Sequence, residues 1–149
     1  MIDIRPLAKE DLPALLMLYR HLHSSDDPLP SPRQIEAVWS EIMSNEHFQY
    51  FGGFLSKELV STCTLTTIPN LTRGCRPYGL IENVVTHPTH RKHGYGKAML
   101  HAALSCAWTM GCYKVMLLTG RKDEATLRFY QSVGFDPNGK QAFIAKPSP

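Results

Sequence analysis

The chain has no Cys-x-x-Cys pair: its four cysteines, Cys63, Cys75, Cys106 and Cys112, lie 12, 31 and 6 residues apart. That spacing offers neither a zinc knuckle nor a thioredoxin-like redox site, so no metal is expected. No apolar stretch approaches the roughly 20 residues needed to cross a bilayer. The N-terminal MIDIRPLAKEDLPALL carries charges too early, and too short an apolar run, to resemble a secretory leader. Charge of one sign is scarce as well. Sixteen basic side chains against thirteen acidic ones leave +3, too little to argue for nucleic acid, although a local basic cluster can still hold a phosphate. Repeats and low-complexity tracts are absent. These absences point to a soluble protein of the reducing cytoplasm, with no nucleic-acid or membrane partner.

What is present suits one globular domain, residues 1–149. Hydrophobic residues make up 43% and charged residues 19%, enough apolar material for a core. A chain of this length buries roughly two-thirds of its unfolded surface without staples.

Ile2–Arg5 reads as a first strand closed by Pro6, and Lys9–Leu22 as a helix with apolar residues at helical spacing. The proline-dense His23–Pro32 interrupts regular structure, and Ser31-Pro32 then opens a second helix carrying Ile35, Val38, Trp39 and Ile42 on one face. Phe48–Leu55 and Leu59–Ile68 read as a hairpin, followed by a loop over Pro69–Tyr78. Leu80–Thr86 is a β-branched run, Lys97–Met110 a helix stopped by Gly111, and Tyr113–Leu118 a strand expected to be covered on both faces. Asp123 caps a helix to Val133 with Gly134 beyond it, Ala125, Phe129 and Val133 form its expected core stripe, and Gln141–Ala145 is expected as a last strand. The order β-α-α-β-β-β-α-β-α-β, with a right-handed βαβ unit upstream of Leu118, predicts an α/β fold on an open mixed sheet.

One segment carries chemistry. After the strand Leu80–Thr86 comes His87-Pro88-Thr89-His90-Arg91-Lys92-His93-Gly94-Tyr95-Gly96-Lys97, a glycine-bearing turn that runs straight into a helix. The unbonded N–H groups of a first helical turn attract anions. Gly94 and Gly96 keep side chains away from a bound phosphate, and Arg91, Lys92, His93 and Lys97 add charge. Position 99 is methionine where a dinucleotide fingerprint wants its third glycine, and G-x-x-x-x-G-K-[ST] is missing. His87, His90 and His93 are spaced by three across Pro88, which lines an entrance better than it binds a metal.

Arg91-Lys92-His93-Gly94-Tyr95-Gly96 resembles the [R/Q]-x-x-G-x-G/A signature of the GNAT superfamily of acyl-CoA N-acetyltransferases. The resemblance extends over Leu80–Phe135, through Gly111-Cys112-Tyr113-Lys114 and Arg128-Phe129-Tyr130 to Gly134-Phe135. Ile81-Glu82-Asn83-Val84-Val85 looks most like the glucosamine-6-phosphate N-acetyltransferases. The resemblance implies a GNAT-like single domain with a mixed, mostly antiparallel sheet, a central parallel pair of splayed strands and helices on both faces. It also implies acetyl-CoA as acyl donor. The diphosphate would lie on the amides of Lys92–Lys97, Tyr95 included, and the pantetheine arm beside Val84, Val85 and Thr86. A small-molecule primary amine is the implied acceptor, an amino sugar phosphate the narrower alternative, and a peptide amine a third. A non-catalytic acyl-CoA-sensing module is a rival of another class. Relatives are commonly dimers, which makes a homodimer an expectation.

Acetylating an amine at pH 7 requires deprotonating a group of pKa about 10.4, at roughly 4–5 kcal/mol. Glu82, in an apolar strand and two residues before Val84, is the candidate base; partial burial would strengthen it, and period-2 geometry would put it on the face of Val84. Tyr130 is the candidate acid for the leaving sulfur. Thr126, one turn earlier, stands where the resemblance calls for asparagine and can bond the pantetheine. For the acceptor, Asp26 and Asp27 can attract an amine, and Arg73 and Arg76 a phosphate or carboxylate.

Overall fold

The computed structural model describes residues 1–149, which form two compact units, Met1–Leu117 and Leu118–Pro149. In the first, five strands lie in the order β1-β2-β3-β4-β5: β1 (Asp3–Pro6), β2 (Phe48–Leu55), β3 (Glu58–Ile68), β4 (Tyr78–Thr86) and β5 (Val115–Leu117). All neighbours are antiparallel except β4 and β5. The β2–β3 turn is Ser56-Lys57, with φ of 46° and 75°. Both residues are left-handed, the signature of a two-residue turn whose twist matches that of its strands.

Local chemistry sets the helix starts. Ser31 Oγ accepts from the Gln34 N–H at 3.3 Å and caps α2 (Pro32–Ser44). Before α1 (Leu12–Tyr19), Asp11 accepts the Ala8 N–H at 2.7 Å and both ends of the Arg5 guanidinium fork at 2.7 and 3.0 Å. Residues 9–11 therefore make a tight turn rather than the first turn of an α-helix. At the other end, Arg20, His21 and Leu22 bond back three residues, which narrows the helix before residue 22.

The sheet is covered on both faces. Met99, Leu100, Ala103 and Ala107 of α4 (Tyr95–Thr109) are buried against β2, β3 and β4. A Cβ on Gly53 would stand 2.9 Å from Met99 Sδ and 2.6 Å from Ile2 Cδ1, so a larger residue there would have to push both side-chain ends aside. On the opposite face Leu15 and Leu18 of α1 and Trp39 of α2 close over Leu7, Phe54, Leu59 and Val85.

The second unit holds α5 (Glu124–Gln131). Asp123 Oδ2 accepts the Thr126 N–H at 3.0 Å, and Gly134 ends the segment at φ 106°. Val133 is buried and Phe129 half-buried, but Ala125 is exposed, so the expected core stripe is shorter by one turn.

Two strands differ from expectation. β5 has three residues, all half-buried rather than covered on both faces. Gln141–Ala145 forms no strand, and Phe143 and Ile144 are 89% and 71% exposed. A short apolar run does not suffice where no neighbouring ladder takes the backbone hydrogen bonds. The parallel pair β4–β5 consequently sits at the margin of the sheet, not at its centre.

Candidate functional site

The site begins with an irregularity in β4. Thr64 pairs with Glu82 but Thr62 with Val85, so three steps on β4 match two on β3. The extra residue is taken up at Asn83, whose φ is 52°. Asparagine tolerates this left-handed conformation better than the β-branched residues around it. The bulge puts Glu82 on the face of Val85 rather than that of Val84, correcting the simple period-2 expectation. Glu82 is also exposed, not partly buried.

Three hydroxyls of β3 and β4 clasp this stretch. Thr64 Oγ1 donates to the Glu82 carbonyl at 3.0 Å and Ser61 Oγ to the Val85 carbonyl at 3.3 Å; Ser61 and Thr86 hydroxyls lie 2.8 Å apart. On the other edge β4 pairs with β5 only at Gly79, Leu80 and Ile81. From Glu82 to Thr86 that edge has no strand partner, while the Val85 and Thr86 carbonyls accept from side chains, Ser61 Oγ and Arg91 Nε.

Tyr19, which the sequence did not single out, belongs to this neighbourhood. Its hydroxyl is shut off from solvent and makes no well-formed hydrogen bond. Burial pushes its pKa well above the ordinary phenol value, an effect that the nearby Asn83 side chain opposes in part. An asparagine inside a β-branched run was the one visible signal for this spot.

Beyond Thr86 the chain makes a tight turn at Pro88–His90, where Arg91 Nε donates to the Thr86 carbonyl at 3.2 Å and His93 Nδ1 donates to the Arg91 carbonyl at 2.7 Å. Lys92 and Gly94 are left-handed, at φ 65° and 81°. Gly94 precedes α4 without any side-chain cap, so the first helical N–H groups have no capping partner. A Cβ on Gly94 would meet nothing within 4 Å, so its glycine answers to φ and not to packing. Arg91, Lys92, His93 and Lys97 are exposed, Tyr95 and Gly96 are half-buried, and no ion pair engages the three permanent cations. His21, from the end of α1, meets His87 edge to face at 4.6 Å, His87 meets His90 at 5.8 Å, and His93 stacks on Tyr95 at 5.6 Å. His21 is exposed and meets this turn through its ring contact with His87.

In the second unit, Tyr130 is half-buried, with its ring 5.0 Å from Phe129 and 6.3 Å from Phe135. The Thr126 hydroxyl donates to both Asp123 carboxylate oxygens at 2.9 Å. That hydroxyl, and then the Thr126 N–H, hold the Asp123 pKa below the ordinary carboxylate value. Thr126 is therefore already committed as a donor and keeps only its acceptor capacity for a ligand.

The model of the acetyltransferase (GNAT) family matches residues 15–135, and the chain belongs to that family. Glucosamine 6-phosphate N-acetyltransferase of Trypanosoma brucei brucei is 30% identical over 140 residues, spanning 94% of this chain and 92% of the relative. Among solved structures, a putative acetyltransferase from Agrobacterium tumefaciens superposes with a TM-score of 0.89 at 40% identity, over 97% of this chain and 99% of that one. A Trypanosoma brucei acetyltransferase structure superposes at 0.81 with 28% identity, over 98% and 100% of the two chains. The protein is an acyltransferase, a class that the unpaired edge of β4 and the uncapped start of α4 suit.

Proposed function

We propose that the chain moves an acetyl group from acetyl-CoA to the primary amine of a small molecule by direct attack in a ternary complex, residues 1–149 acting as one catalytic domain. The observation that carries this reading is β4, unpartnered on one edge from Glu82 onward and leading into a cationic, uncapped helix start. A pantetheine arm can lie along Val84, Val85 and Thr86 like a short strand. The amides from Lys92 to Lys97, with the side chains of Arg91, Lys92, His93 and Lys97, suit its diphosphate. Thr126 offers the arm an acceptor. Bound acetyl-CoA supplies an acyl group already activated as a thioester.

Glu82 is the base, directly or through a water, and its exposure leaves room for either route. The ammonium yields one proton to Glu82 before attack, Glu82 passes it to solvent, and the nitrogen gives its second proton to the regenerated carboxylate as the amide forms. Its nitrogen bonds the acyl carbon while the carbon–sulfur bond breaks. Tyr130 gives its phenolic proton to the departing sulfur and is reprotonated from solvent.

A second, narrower reading takes an amino sugar phosphate as acceptor; the Trypanosoma relative favours it. Cytoplasmic residence as a homodimer completes the proposal. All four cysteines are free, in keeping with a reducing compartment, and no helix is long and apolar enough to cross a membrane. Calorimetry with coenzyme A, paired with free-thiol release over a panel of amines that includes glucosamine 6-phosphate, tests the reading. Heat of binding with thiol release supports it. An absence of heat sinks it, and binding with no release on any amine points instead to an acyl-CoA-sensing module.

A further inference from the structure

We infer that Tyr19 is a positioning residue: its buried hydroxyl, set against the Asn83 side chain, holds the β4 bulge and with it the direction in which Glu82 projects, a role that rests on the proposed reading of Glu82 as the base. Tyr19 is the last residue of α1, and its carbonyl accepts the Leu22 N–H at 3.0 Å. Its side chain packs against the core cluster that contains Leu18, Phe54 and Val85. Val85 is the residue at which β4 resumes its pairing with β3 beyond the bulge.

Packing does not explain the hydroxyl. Among buried side-chain oxygens and nitrogens it alone makes no well-formed hydrogen bond. A phenylalanine would fill the same space without desolvating a polar group, so for stability the oxygen is a burden. The groups that bear on it are Tyr50, Asn83 and Cys63. Burial pushes the Tyr50 phenol up and the Cys63 thiol up to about 12, so both stay neutral well above pH 7 and neither gives the hydroxyl a charge to answer. Asn83 is its hydrogen-bonding neighbour. Either side can donate, the phenol O–H to the amide oxygen or the amide N–H to the phenol oxygen.

Asn83 is in turn the residue of β4 that most needs a hold. Leaving the short helix α3 (Thr72–Cys75), β4 is paired on both edges at Gly79, Leu80 and Ile81. At Asn83 it is paired on neither, because Thr64 stands opposite Glu82 and Thr62 opposite Val85. Asn83 also stands at φ 52°, a region that few side chains other than asparagine and aspartate enter. Thr64 and Ser61 fix the carbonyls of Glu82 and Val85 on either side of it. The ladder fixes nothing between them. Tyr19 meets the bulge there from a helix outside the sheet. A looser bulge would let the Glu82 carboxylate swing away from the attacking amine, and small misplacements of a reacting group are costly to rate.

Tyr19→Phe in the full chain tests this. Because the change removes an unpaired oxygen, the thermal midpoint should hold or rise. Because it frees Asn83, kcat should fall by about fivefold or more, with KM for acetyl-CoA and for the acceptor within about twofold of the wild type. Asn83→Gly keeps the left-handed backbone and deletes the amide, and should lower kcat by a similar factor. The double variant should be no slower than the slower single one, since both side chains act through one contact. By NMR, the backbone amides of Glu82, Asn83 and Val84 should broaden by exchange in Tyr19→Phe while those of β2 stay as in the wild type. A kcat within twofold of the wild type, a lowered thermal midpoint, losses that multiply in the double variant, or unchanged bulge resonances would overturn the assignment. The NMR arm needs no turnover. A wild type that acetylates no amine therefore refutes the proposed activity, while the resonances still decide whether Tyr19 holds the bulge.

Discussion

The hydroxyl of Thr64, itself only 4% exposed, donates to the carbonyl of Glu82 at 3.0 Å. Through that one bond β3 fixes the strand residue beside the bulge from which the proposed base projects. Thr64→Val keeps the shape and deletes the donor, which should lower stability by about 1–2 kcal/mol. In the same variant kcat should fall while coenzyme A affinity holds. Urea denaturation and steady-state kinetics read the two effects.

Glu82→Gln and Tyr130→Phe should each reduce kcat at least tenfold and leave coenzyme A affinity within a few-fold, because neither side chain is assigned to the diphosphate. Wild-type kcat in both variants between pH 6 and 9 would remove their proposed roles.

Gly94 at φ 81° is the residue most exposed to a coenzyme-specific test. Gly94→Ala forces a side chain into the left-handed region at about 1–2 kcal/mol, and Gly94→Asp adds a negative charge in front of the uncapped amides. Calorimetry should show coenzyme A binding weakened modestly by alanine and beyond detection by aspartate, with the fold retained in both.

The chain announced its second half more clearly than its first. Gly94, Gly111 and Gly134 stand at φ 81°, 82° and 106°, and each marks an element boundary that the residue type predicts from its conformational freedom. Ser31 and Asp123 cap their helices as their hydroxyl and carboxylate chemistry requires. Hidden from the sequence were interactions that depend on neighbours distant in the chain. The bulge at Asn83 reverses the face expected for Glu82 relative to Val84, and only the pairing of β3 with β4 determines it. Gln141–Ala145 has the short apolar run of a strand without the ladder. Tyr19 matched an ordinary apolar helix position, and its buried hydroxyl becomes visible only against Asn83.

Acid stability should depend on Asp11. The Arg5 guanidinium is the main cause holding its carboxyl below the ordinary value, with the Ala8 N–H adding to the effect. A depressed carboxylate stabilises fully above its unfolded pKa, and the benefit is lost as pH falls through its folded value. Urea midpoints of the wild type should therefore drop as pH falls below about 4. Asp11→Asn should be less stable at neutral pH and show a shallower acid decline.

Thiol reactivity should rank by burial. Cys75 is exposed and should react first with an aromatic disulfide reagent, whereas burial pushes the Cys63 thiol up to about 12 and should protect it until the chain unfolds. Rapid native labelling of Cys63 would contradict its placement under α4.

The two-residue turn at Ser56-Lys57 also governs how this protein tolerates change. Both tip positions are left-handed, so they suit glycine, asparagine or aspartate and strain a β-branched residue. A residue inserted within β3 behind an unchanged two-residue turn would, by contrast, slip the pairing by one and turn Ser61, Thr62 and Thr64 over to the wrong side of the sheet. The hydroxyl clasp on the neighbouring strand would then be lost from a distance, which makes the tip demanding in residue type and in length alike.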